Sequence, residues 1–194
     1  MNVLVIPEDF RKDQYMLKPI IEAMLKKIGK GTAIVRVCQN PNLGGIGQAL
    51  KWEKIQEIIE RYPMVDLFLL CVDRDGYPGR RKSLDNIEVA AGNILTNNKL
   101  FLAENAWQEI EVWVLAGHKL PKTWTWKKIR ADINPKENFY LPYAKQLGVV
   151  NLPSEGRKEL AEAAARQYPR ILQLCPEDIQ ALHTRLDNWL NKTP

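Results

Sequence analysis

The chain has 194 residues, of which 45% are hydrophobic and 26% charged, and it carries a formal net charge of +5. This composition suits a globular protein with one substantial core, and no apolar run approaches the roughly 20 residues of a membrane-spanning helix. The N-terminal MNVLVIPEDF has neither the basic n-region nor the small-residue cleavage site of a secretory signal, so a cytoplasmic location is expected.

In chain order, four segments read as strands: Asn2 to Pro7 (NVLVIP), Thr32 to Cys38 (TAIVRVC), Asp66 to Val72 (DLFLLCV) and Lys99 to Ala103 (KLFLA). Each is rich in β-branched or large apolar residues and too short for a helix. Leu17, Ile20, Ile21, Met24, Leu25 and Ile28 recur at helical spacing after the first strand, with Asp13 as the expected N-cap and Gly29 as the stop. Leu50, Ile55, Ile58 and Ile59 predict a second helix, and a third is expected to start from Ser83. Glu104 to Gly117 reads as a fourth helix. His118 to Phe139 looks irregular and basic, and Ser154 to Tyr168 and Pro176 to Leu190 read as two amphipathic helices. Cys38, Cys71 and Cys175 are widely spaced and read as core thiols, with no disulfide framework or CxxC site.

Strands alternating with helices predict an α/β fold, a parallel sheet with helices on both faces, over residues 1–117. Residues 118–194 are expected to form a helical C-terminal cap packed on it. In such a sheet the loops after the strands gather on one edge, where open α/β folds keep their chemistry. That edge receives Glu8 from the first strand and Asp73 and Asp75 from the third, with Glu111 expected close by. Hard carboxylate oxygens in that number suit Mg²⁺ or Mn²⁺.

The glutamate in LVIPED, the Asp-x-Asp pair in CVDRDG and the βα framework together resemble the Toprim domain of topoisomerases, primases and overcoming-lysogenization-defect nucleases. EIEVWVLAG and GRKELAEAAARQYPRILQLCP further resemble small stand-alone Toprim-like bacterial proteins, a group with no assigned activity. Glu8 is followed by Asp9, where Toprim glutamates are usually followed by glycine. The resemblance implies a metal-dependent nuclease, or related phosphodiester-processing enzyme, acting on DNA or RNA. In it Glu8, Asp73 and Asp75 are catalytic and hold the metal, and Glu111 serves a second metal. It also admits a role in phage defence with a separate ATPase chain, because GKGT (Gly29 to Thr32) lacks the upstream glycine of a P-loop.

The other readings are a Toprim-derived module that binds nucleic acid or a partner without catalysis, a small-molecule phosphohydrolase, and a partner-switched toxin, antitoxin or defence component. An EF-hand reading of DRDG fails because its twelfth position is Leu84. A haloacid-dehalogenase reading fails because the Asp-x-Asp follows the third strand, not the first. Arg80, Arg81 and Lys82 read as a basic loop suited to a phosphate backbone. Trp124 and Trp126, despite Lys122, Lys127 and Lys128 nearby, read as core plugs, and His118 and His183 have no metal-ligand spacing.

Overall fold

A computed structural model describes residues 1–96 and 98–192. Its strands β1 (Asn2–Pro7), β2 (Ile34–Val37), β3 (Leu67–Asp73) and β4 (Leu100–Ala106) form one parallel sheet in the order β2-β1-β3-β4. The register pairs Val3 with Leu67 and Pro7 with Cys71, so β1 and β3 end side by side. The expected α/β architecture, with helices on both faces of the sheet, is present.

Alternation along the strands divides the core in two, because successive side chains point to opposite faces. Leu4, Ile6, Phe68 and Leu70 pack with the apolar faces of α3 (Trp52–Arg61) and α4 (Arg80–Gly92), behind the short α2 (Ile46–Ala49). Val3, Val5, Leu67, Leu69 and Cys71 pack on the other side with α1 (Phe10–Lys27). That second core runs without a break into α5 (Glu111–Ala116), α7 (Leu141–Gln146), α8 (Arg157–Ala165), α9 (Tyr168–Leu174) and α10 (Ala181–Lys192). The C-terminal helices are therefore part of the main core, not an outlying layer. Between α5 and α7 lies α6 (Trp126–Ala131), whose Trp126 donates its indole N–H to Leu174 O at 2.7 Å. Trp124 meets Phe139 edge-on at 5.1 Å, as the core-plug reading expects. Among the described residues no helix is long and apolar enough to cross a membrane.

Three differences from the expected element boundaries bear on the site. Helix α1 begins at Phe10, capped by Asp9, whose carboxylate accepts from Arg11 N–H at 3.0 Å; Asp13 lies one turn in and accepts from Asp9 N–H at 3.0 Å. Both residues are capping types, and the earlier one takes the cap. Helix α4 begins at Arg80, so Arg80, Arg81 and Lys82 form its first turn and not a loop. Strand β4 continues through Glu104 and Asn105, leaving only Glu111–Ala116 of the expected fourth helix. Polar residues end an apolar pattern in sequence, yet here Glu104 stays buried because Arg81 and Arg185 pair with it at 3.2 and 3.5 Å.

Gly117 ends α5 where that helix meets α8. A Cβ there would stand 2.5 Å from Ala164 Cα, a contact that forces the helices apart. Gly117→Ala is therefore expected to cost about 1–3 kcal/mol in thermal or urea unfolding. Gly92→Ala, at the end of α4 with open space around it, is the matched control and should be neutral or slightly stabilising.

Candidate functional site

The chain leaves β1 into α1 on one face of the sheet and leaves β3 into α4 on the other, so a crevice opens between the two strand ends. Glu8 and Asp73 occupy its two lips. The Asp73 N–H points to Glu8 Oε2 at 3.4 Å, a long contact that nevertheless ties the strand ends together. Asp73 turns its own carboxylate under the start of α5, where Oδ1 accepts from Ile110 N–H at 2.8 Å. The first turn of α1 brings Asp13 to the same place. Glu111, first residue of α5, closes the group from below.

These acids raise one another. Burial pushes the Asp13 carboxyl up to about 7, and the charges of Glu111, Asp9 and Glu8 add to it, against the Asp9 N–H that favours the anion. Asp73 is held well above the ordinary carboxylate range, first by burial and then by Glu111, Asp13 and Glu8. Glu8 is raised by burial and by Asp75, with the Asp73 N–H and Arg80 opposing. On the outer side, Glu109 accepts from Lys136 N–H at 2.7 Å and is pushed up to about 7 by burial, with the charges of Glu111 and Glu137 adding to it. Negative charge is thus concentrated at the edge beyond what the local hydrogen bonds offset.

The remaining acids of the expected site are already paired. Asp75 sits in the left-handed region at φ 52, next to Gly76 at φ 65, and makes the tight turn that an Asp-Gly pair favours. Its carboxylate meets Arg80 at 3.1 Å. Glu111 is buried against Arg157 at 2.9 Å, and Arg157 also holds Glu155 and Ser154 O.

The expected phosphate-binding arginines are similarly occupied. Arg80 is buried beneath Tyr77 and spends its charge on Asp75. Arg81 binds Asp85, Glu88 and Glu104 and donates to Ala103 O at 2.7 Å, stapling α4 to β4. Only Lys82 of that trio is an exposed side chain. The basic-loop reading is corrected accordingly: a run of cations in sequence says nothing about which carboxylates the fold will bring to it.

The structure gathers Glu8, Asp13 and Asp73, with Glu111 behind and Asp75 at the outer lip. Asp13 was legible only as a cap, since the start of α1 decides whether its side chain faces the crevice. The donor set is all oxygen, and Arg80 and Arg157 form ion pairs only with Asp75 and Glu111 of it, which suits a hard divalent cation at Glu8, Asp13 and Asp73 by chemistry. Among the described residues, however, no three His, Cys, Asp or Glu side chains are already grouped to hold a metal. His118 contacts Leu160 O and His183 contacts Tyr168 Oη, both away from the crevice.

Comparison with protein-family models, with curated proteins and with solved structures gives no match to this chain. Nothing in these comparisons identifies a Toprim domain.

Proposed function

We propose that the chain is a metal-dependent nuclease, or a related phosphodiester-processing enzyme, acting on nucleic acid at the crevice between β1 and β3. The observation that supports this is the meeting of Glu8 and Asp13, from the β1–α1 junction, with Asp73, from the end of β3, at a topological switch point with their carboxyls raised. Glu8 and Asp73 are the residues that would hold Mg²⁺ or Mn²⁺, with Asp13 beside them. When bound, such an ion supplies positive charge to a phosphoryl oxygen and to the group attacking it. Glu8, at the lip with its carboxyl raised by burial, is the residue assigned to take or return a proton. Asp73 is oriented by the Ile110 N–H, and Glu111 is assigned to holding Arg157, not to a second metal.

One observation favours a second reading. Asp75 and Glu111 are neutralised by Arg80 and Arg157, as expected of a Toprim-derived module that binds nucleic acid or a partner ATPase without cutting. The two readings separate in one assay: nicking of supercoiled plasmid and cleavage of single-stranded DNA and RNA with Mg²⁺ or Mn²⁺. The enzyme reading expects cleavage that Glu8→Gln lowers by about 10²-fold or more in a protein that still folds. Binding without cleavage under all these conditions gives the case to the module.

A further inference from the structure

Arg74 stands between the two aspartates, and neither the sequence pattern nor the site described above uses it. Its guanidinium lies 3.6 Å over the Trp107 ring, and among the described residues it has no carboxylate partner. In contrast, Arg80, Arg81, Arg130, Arg157 and Arg185 are all paired with acids. Backbone bonds fix its position: Arg74 N–H donates to Gln108 O at 2.8 Å, and Gly76 N–H donates to Gln108 Oε1 at 2.8 Å.

Trp107 is held as firmly. Its N–H donates to the buried Asp178 at 3.0 Å and its carbonyl accepts from Arg130 at 3.1 Å, and Asp178 also takes the Trp113 indole N–H at 2.8 Å. Trp107 follows Ala106, the register partner of Asp73, so the chain reaches this residue directly from the acidic edge. Trp107 also lines an open cavity of about 410 Å³ whose other walls include Trp126, Leu174 and Pro176, with Lys127 at its rim and Arg130 paired there with Glu177. A cavity walled by Trp107, Trp126, Leu174 and Pro176, with Lys127 at its rim and the carboxylate-free Arg74 guanidinium over Trp107, matches a base and its phosphate. A base reaches such a cavity only when it is free of its duplex partner.

We propose that Arg74 binds a backbone phosphate and that the Trp107–Trp126 cavity takes the adjacent unstacked base, making single-stranded nucleic acid the ligand of this edge. This rests on the crevice being a phosphodiester-processing site, and it names the strand form that the site receives. Arg74, stacked on Trp107, is then a substrate-binding residue supplied by the loop that leaves β3 directly after Asp73.

The test is fluorescence anisotropy of a labelled single-stranded oligonucleotide and of the matching duplex, in EDTA so that cleavage plays no part. The single strand should bind more tightly than the duplex and quench tryptophan emission. Arg74→Ala should weaken single-strand binding about tenfold or more, as for a lost charge-assisted hydrogen bond, and lower the salt slope by about 0.7. Lys127→Ala, an exposed change on the opposite wall, should act in the same direction and guards against a folding defect in the first variant. Equal binding of single strand and duplex, or single-strand affinity unmoved by both substitutions, overturns the proposal. So does full competition by free AMP at matching concentration, which would assign the cavity to mononucleotides. Binding that depends on Arg74 without cleavage by the wild type supports this site and removes the catalytic reading alone. Cleavage with binding independent of Arg74 does the reverse.

Discussion

Arg157→Met should lower the stability of the protein by about 3–5 kcal/mol, as expected when one partner of a buried ion pair is removed and the other is left behind. Arg157 is 1% exposed and meets Glu111, itself 5% exposed, at 2.9 Å. Methionine fills much of the volume but leaves the Glu111 carboxylate buried with Asp73 and Asp13 near it. The loss corresponds to roughly 10 °C in melting temperature for a chain of this size. Arg157→Met with Glu111→Leu removes both charges and should recover most of the loss. Thermal melts of the single and double variants measure this, and a single variant that melts like wild type would mean that the pair adds nothing to stability.

That ion pair also marks where sequence reading stops. β1 and β3 were legible to within one residue because strands covered on both faces are continuous apolar runs, and Leu67 to Val72 is such a run. Their ends placed Glu8 and Asp73 on one edge without reference to any side chain. The partner of Glu111 lies 46 residues away on α8, and no local pattern links the two. The same holds for Arg81 and Arg185, which come from α4 and α10 to keep Glu104 buried at the end of β4. The charged residues whose surroundings were not foreseen are therefore those whose counter-charges arrive from distant elements. The positions that were legible belong to residues fixed by strand direction alone. Arg74 was invisible for the complementary reason: what sets it apart is the carboxylate it lacks and the indole it rests on, and both are tertiary facts.

Asp73→Asn should separate function from stability. Asparagine keeps an oxygen to accept from Ile110 N–H, now 2.8 Å from Asp73 Oδ1, while the charge that Glu111, Asp13 and Glu8 oppose disappears. For wild type the linkage runs in one direction. Asp73 is raised well above its ordinary value and Asp13 to about 7, so between about pH 4 and pH 7 the native state holds protons that the unfolded state has lost. These groups make stability decline as pH rises through that window, and the variant should decline less and melt no lower than wild type at pH 8. Divalent metal should act on wild type at the same site. At about tenfold its dissociation constant, Mg²⁺ binding only the native state adds about 1.4 kcal/mol, a rise of roughly 3–5 °C. In Asp73→Asn that rise should vanish, together with nearly all cleavage of plasmid and single-stranded substrates. Differential scanning fluorimetry with and without Mg²⁺ from pH 5 to pH 8, alongside the nicking assay, tests both halves. An equal metal-induced shift in wild type and variant places the ion elsewhere. Retained cleavage in the variant removes Asp73 from the chemistry, because one charge removed from the proposed phosphate-facing edge cannot be silent if the metal is held there.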